Sequence, residues 1–344
     1  MTMRHTWIAG VLAAAAFVPL ARADKVYKKS GGAPVEGFVT EESVSVIKVK
    51  KDGFISEIKA EDVDRVEREP VTCPEYIRAW KAFQERNFAD AAESFEKASN
   101  SGKKDPWTRT YALFYAAECY RHLGASSKDA GQRAVDAYNL YLKENPNHLF
   151  LNGARSGRIE CLIQVGNMAE ADKAVSELLT AGLAGCALAR VKLLQAQILE
   201  RQDKFKEAAA KYKDLTSQGR DCPDVSGAAG AGVGRCLKDP EERLEWYKSL
   251  IQRSTHDQSL ASAFNGLGDS YLEKKNFEEA VWNFLHVVVI PGMAAYDEEL
   301  AHALCGAGEA FEGLGQKTRA GQLLDQAAAM PGPWGDRARK RLGK

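Results

Sequence analysis

The feature that most constrains this chain is a set of small and aromatic residues that returns at fixed spacing along most of its length. Around Ala280, Gly268 lies twelve residues before, Tyr271 nine before, Phe277 three before, Phe284 four after and Val287 seven after. The set returns around Ala320 with Gly308, Phe311, Gly315, Leu324 and Ala327, so that Gly268 and Gly308 stand 40 residues apart. It returns at Ala91 with Ala79, Phe88, Phe95 and Ala98, and at Ala208 with Ala196, Phe205, Tyr212 and Leu215. Ala171 carries Gly166 and Val175 but has Ile159 in the early small place. Ala134 carries Tyr138, Tyr141 and Pro146, whereas Ala117 and Tyr120 fall about five residues too early, so "ASSKDAGQR" reads as a lengthened turn or helix. Spacings of three, four and seven residues share one face of a helix. Small residues at these places let two antiparallel helices nearly touch while the rings fill the gaps beside them, a gain that offsets the cost of about 1 kcal/mol for Gly over Ala in a helix. Each pair then leaves an apolar face that only a neighbouring pair can cover, so the pairs must stack.

These residues resemble the tetratricopeptide repeat, whose two-helix unit carries a small residue and an aromatic on the first helix and Ala-x3-aromatic-x2-Ala on the second. The resemblance runs from Cys73 to about Gly332 and covers six repeats, with a seventh, shortened one over Gly227 to Ile251. That one places Gly234 and Leu237 on its first helix and turns at Lys238-Asp239-Pro240. The resemblance implies a mostly α chain, with a superhelix of about six to seven antiparallel helix pairs over residues 71–332. Its packing residues would be Ala91, Phe95, Ala134, Tyr138, Ala171, Ala208, Tyr212, Gly268, Tyr271, Ala280, Phe284, Gly308, Phe311 and Ala320. In this family the partner, another protein or a peptide, lies in the concave groove lined by first helices, and the residue after the early small position faces it. Those residues are Trp80, Glu118, Glu160, Gln197, Asp269 and Glu309, of which four are acidic. The expected partner-binding set is therefore Glu118, Glu160, Gln197, Asp269 and Glu309, with a preference for basic segments by charge complementarity. The Lys, Arg and Asn set with which some members clamp a terminal carboxylate is not met. Tyr76, Trp80, Phe114 and Leu193 stand there, with Asn265 and Arg190 the polar matches, and Tyr76 and Trp80 read as core.

Ahead of the repeats, residues 24–70 change period. Val35, Gly37, Val39 and then Val44, Val46, Lys48 alternate as half-buried strands do, and Gly31-Gly32 and Asp52-Gly53 mark turns. The expectation is four or five short antiparallel strands with a helical turn at Ala60 to Val63, closing as a small all-β barrel-like module. The layout from "VYKKSGGAPVEGFV" to "IKAEDVDRVER" resembles Sm-like or SH3-like barrels of exported bacterial proteins. Nine basic against eleven acidic residues between Asp24 and Pro70 disfavour RNA and leave docking or spacing as its role.

Residues 1–23 read as a cleaved secretory signal, with Arg4, an apolar run from Trp7 to Leu20 and a small-x-small end at Ala21 and Ala23. A run of about 14 apolar residues is short of a bilayer span, and no later segment is long and apolar enough, so an exported, periplasmic or secreted chain is expected. Without the leader, 45 basic residues face 47 acidic, which argues against nucleic-acid binding. Seven scattered cysteines read as buried thiols, with Cys186 and Cys222, near predicted loops, the exceptions. Six histidines show no metal spacing, and no phosphate loop, nucleophile elbow or Cys-x-x-Cys appears. No catalytic residue, metal or cofactor is expected. Beyond Pro331 and Pro333, residues 333–344 read as a basic tail or cap. The function that follows is a non-enzymatic envelope scaffold, with a regulatory or substrate-presenting subunit of an envelope or cell-wall enzyme as the alternative.

Overall fold

The computed structural model describes residues 23–69, 71–101, 106–218 and 222–344. The expected leader, residues 1–23, lies outside them except for Ala23. The chain divides into a strand unit ending at Val71 and a helical unit running from Thr72 to Lys344.

The strand unit is one antiparallel sheet of β1 (Asp24–Lys28), β2 (Val35–Glu42), β3 (Val46–Lys51), β4 (Phe54–Lys59) and β5 (Val63–Glu67), in the order β4-β3-β2-β1-β5. Val26, Ile47, Val49, Ile58, Val63 and Val66 form its buried face, as period-two alternation requires. Asp52 and Gly53 both take positive φ, 50° and 86°, which gives the β3–β4 hairpin a two-residue turn matching strand twist. A single 3-10 turn, Ala60–Asp62, leads into β5. Asp24 is buried, and its carboxylate accepts the backbone N–H of Val39 and of Glu69, each at 2.8 Å, which ties the start of β1 to β2 and to the end of β5.

Among the described residues, the helical unit contains seven antiparallel pairs. They are α1 (Pro74–Gln84) with α2 (Phe88–Ser101), α3 (Pro106–Gly124) with α4 (Lys128–Glu144), α5 (Leu151–Val165) with α6 (Met168–Thr180), and α7 (Gly185–Arg201) with α8 (Phe205–Gln218). There follow α9 (Pro223–Cys236) with α10 (Pro240–Arg253), α11 (Asp257–Glu273) with α12 (Phe277–Val289), and, after the short α13 (Pro291–Ala294), α14 (Asp297–Gly313) with α15 (Lys317–Ala328). A last helix, α16 (Pro333–Leu342), packs on α15 and α14. First helices also touch one another in sequence, α3 to α5, α5 to α7, α7 to α9, α9 to α11 and α11 to α14.

The repeating frame maps directly onto this packing. The anchor alanines Ala91, Ala134, Ala171, Ala208, Ala280 and Ala320 are all buried, as are Phe95, Tyr138, Val175, Tyr212, Phe284 and Leu324 four residues later. Gly268 lies under its own pair's Phe284, where a Cβ would come within 2.8 Å of the ring. The same rings also rest on a glycine of the following pair. A Cβ at Gly232 would come within 2.6 Å of Tyr212, and Gly157, Gly266 and Gly306 serve Tyr138, Tyr247 and Phe284 in the same way. Glycines thus seat Tyr247 and Phe284 on two consecutive first helices and Tyr138 and Tyr212 on the following one, which ties each of these pairs to the next.

Two irregularities have local causes. In the second pair the extra length is helical: α4 starts six residues before Ala134, capped by the Ser127 side chain, which accepts from Ala130 N–H at 3.3 Å. In the shortened pair α9 ends at Cys236, so Leu237 lies one residue past the first helix and not on it. Asp239 then caps α10, accepting from the N–H groups of Glu241 and Glu242, each at 2.9 Å.

Cys186 and Cys222 form a disulfide, and Cys73, Cys119, Cys161, Cys236 and Cys305 are buried free thiols. Burial pushes the Cys236 thiol up to about 11 and the Cys305 thiol up to about 12, so neither ionises at neutral pH. Residues 333–344 fold back as α16: Ala338 is buried and Trp334 and Leu342 pack onto Leu304, Leu324 and Ala327.

Candidate functional site

The first helices enclose a concave hollow of about 740 Å³. Its wall takes Arg121 from α3, Glu160 and Gln164 from α5, Arg190, Gln197, Glu200 and Arg201 from α7, and Asp224 and Arg235 from α9. Gln258 and Asp269 of α11, Glu298, Glu299 and His302 of α14, and Trp334 of α16 complete it. Arg86, in the α1–α2 turn, lies against Asp297, at the start of α14.

Ion pairs stitch this wall across successive first helices. Arg121 reaches Glu118 on its own helix at 2.8 Å and Glu160 on α5 at 3.2 Å. Arg190 meets Asp224 at 2.7 Å, and Arg235 meets Glu200 at 2.7 Å, both between α7 and α9. Between α11 and α14 the seam is a hydrogen bond, with His302 Nε2 3.1 Å from the Asp269 carboxylate, and the His302 ring stacks on Trp334 with centroids 3.6 Å apart. Arg337 of α16 meets Glu309 at 2.6 Å.

The residues expected to bind a partner therefore play unequal parts. Glu118 also accepts the Tyr138 hydroxyl and, with Glu309, lies outside the residues that line the hollow. Glu160, Gln197 and Asp269 do line it, but Glu160 and Asp269 are joined to Arg121 and His302. The acidic stripe is thus matched by basic residues from several directions: Arg121 faces Glu118 on its own helix and Glu160 on the following first helix, His302 faces Asp269 from the next first helix, and Arg337 of α16 faces Glu309. Tyr76 is core, in edge contact with Phe95 and Trp107. Asn265 is buried and donates to the Glu299 carboxylate at 2.7 Å and to its carbonyl at 2.9 Å, which fastens α11 to α14.

Sequence reasoning missed the basic halves of these pairs and the groups left over. Among the described residues, Gln164, Gln197, Gln258, Arg201 and Glu298 line the hollow and make no side-chain hydrogen bond or ion pair. The Gln164 Oε1 atom is buried without a donor. Glu298 is open to solvent but closely surrounded by the wall, and that enclosure, followed by the Glu299 charge, raises its carboxyl above the ordinary value. Glu160 is raised by burial, which with the charges of Glu118 and Glu298 outweighs Arg121. Glu118 moves the opposite way: burial pushes it up, but the Arg121 charge and hydrogen bonds from Tyr138 and Arg121 hold it low. The signal for the basic partners was available in the repeat itself, because Arg190–Asp224, Glu200–Arg235 and Asp269–His302 are 34, 35 and 33 residues apart, about one repeat.

The pairing of helices, the frame and the concave wall decide the fold. The helical unit has a tetratricopeptide-repeat-like fold. A tetratricopeptide repeat protein from Parabacteroides merdae ATCC 43184 superposes with a TM-score of 0.51 at 14% identity, over 78% of this chain and 96% of that one. BtubC from P. vanneervenii gives 0.39 at 16% identity, over 63% and 91%. A Rap protein complexed with competence and sporulation factor gives 0.36 at 17% identity, over 80% and 72%. No family model and no curated protein matches the sequence. Among the described residues no helix is long and apolar enough to cross a membrane, and no group of three His, Cys, Asp or Glu is placed to hold a metal ion.

Proposed function

We propose that this chain is an exported scaffold of the bacterial envelope, periplasmic or secreted, that holds an extended segment of a partner protein in the concave hollow of its repeat array. The observation that carries this reading is the set of unengaged polar groups on an otherwise satisfied wall. The amides of Gln197 and Gln258 each offer a donor and an acceptor, the pairing a peptide backbone needs. Glu298 adds a carboxylate without a cationic partner and so favours a segment with a Lys or Arg side chain. The Cys186–Cys222 disulfide supports an oxidising compartment, where such bonds persist. The strand unit serves in this reading as a docking or spacing module.

Reversing the charges of Glu118, Glu160, Asp269 and Glu309 would break the seams of the wall, so a better test alters residues that only line it. Gln197→Ala with Glu298→Lys leaves every ion pair intact. Affinity capture of mature wild-type chain from its own cell envelope, compared with this variant, should show a partner depleted at least tenfold by the substitutions at unchanged thermal stability. Equal recovery by both proteins overturns the hollow as the binding surface.

A further inference from the structure

We propose that Cys186–Cys222 is a redox-reactive site whose oxidised form locks α9 into the concave wall. Cys186 lies in the first turn of α7, and Cys222 is the cap residue of α9, so the bond joins the leading ends of two adjacent first helices. Of the helices that line the hollow, α9 is the one least able to hold itself. Gly227, Gly230, Gly232 and Gly234 occupy four of its fourteen positions. Each is required by a neighbour: a Cβ at Gly230 would come within 2.8 Å of Leu250, and one at Gly232 within 2.6 Å of Tyr212. The close packing that builds the wall therefore removes helix propensity where it is most needed.

Without the disulfide, the leading end of α9 keeps, among the described residues, the packing of Val225, a 3.4 Å hydrogen bond from the Ser226 hydroxyl to the Thr216 carbonyl and the Arg190–Asp224 pair, whose side chains are 44% and 40% exposed. A pair so open to water is worth little. The trailing end keeps the Arg235–Glu200 pair, to which Tyr212 adds a hydroxyl bond at 2.6 Å. Opening therefore starts at Cys222 and, because its four glycines leave α9 little helix propensity of its own, runs along the helix to Cys236. Cys186 is the partly exposed sulfur and Cys222 the buried one, so an incoming thiolate attacks Cys186 and expels the Cys222 thiolate. A dithiol reductant completes the step by attacking its own mixed disulfide, leaving two protein thiols and one oxidised reductant. The lock is a property of the wall whatever occupies the hollow.

The free cysteines report on this directly. Cys236 ends α9, whereas Cys119, Cys161 and Cys305 lie in α3, α5 and α14, and all four are buried. The full mature chain is pulsed with N-ethylmaleimide before and after reduction by a water-soluble phosphine, and labelling at each cysteine is read by mass spectrometry. Reduction should accelerate labelling of Cys236 at least tenfold and leave Cys119, Cys161 and Cys305 protected. Cys186→Ser with Cys222→Ser should give the same pattern without reductant. Cys236 remaining as protected as Cys161 after reduction would overturn the lock, and simultaneous labelling of all four would replace it with a global staple.

Discussion

The turn between paired helices shows how closely one residue's backbone follows the frame. Five residues before the anchor alanine, Arg86, Gly166, Asp203, Lys275 and Gly315 all take positive φ, at 59°, 86°, 60°, 57° and 74°. The left-handed region costs a non-glycine residue about 1–2 kcal/mol, whereas glycine enters it freely but loses about 0.5–1 kcal/mol more chain entropy on folding. Lys275 is exposed and forms no side-chain bond among the described residues, so nothing offsets its strain. Lys275→Gly should therefore raise stability by about 0.5 kcal/mol, or about 1–2 °C in melting temperature. Gly315→Ala should lower it by about 1 kcal/mol, and differential scanning calorimetry of both variants checks the pair of signs. An unchanged melting temperature in both would remove the left-handed turn as a shared device.

At the scale of elements, residues 333–344 illustrate what a polar sequence conceals. Five basic residues in this stretch read equally well as a solvated tail, yet Trp334, Ala338 and Leu342 recur on one face and cover the last pair. A chain ending at Gly332 should expose Leu304, Leu324 and Ala327, at a local cost of about 5 kcal/mol for the apolar burial lost. Faster amide exchange in α14 and α15 and increased binding of an apolar dye are the expected readouts, and unchanged exchange would return the segment to the status of a tail. The helix pairs were legible because small and aromatic residues within one pair fall inside a single short window, as at Gly268, Ala280 and Phe284. The wall was not legible, because its chemistry joins residues a repeat apart. Glu160 reads as an acid until Arg121, on the preceding first helix, is seen beside it. Glu298 reads as a helix-start charge until the array curls far enough to place it in the hollow.

The whole array carries two opposed sets of carboxyls, and their balance fixes how its stability responds to pH. Glu118 and Glu200, largely enclosed, and the more open Asp224, whose share is small, are held below their ordinary values by Arg121, Arg235 and Arg190 and by hydrogen bonds. Each binds a proton less readily when folded than when unfolded, so its contribution is complete above the unfolded value and is lost as pH falls through the folded one. Glu160 and Glu298 are raised by enclosure in the wall and by neighbouring carboxylates. They bind a proton more readily when folded, so the array gains stability as pH falls from neutrality toward the ordinary glutamate value of 4.5. The two slopes meet on the acid side of neutrality, which is where maximal stability is expected. Both raised groups still touch water, so the gain should amount to a few degrees at most. Melting temperature followed from about pH 8 to about pH 3 should rise, pass through this maximum and then fall steeply as the ion-paired carboxylates protonate. Glu160→Gln with Glu298→Gln should melt higher than wild type at about pH 8 and lose the rising limb while keeping the fall. A wild-type curve that only declines on acidification, with the double variant following it, would mean that these two carboxylates are as well solvated in the hollow as in the unfolded chain, and the attraction of the hollow for a cationic side chain would go with them.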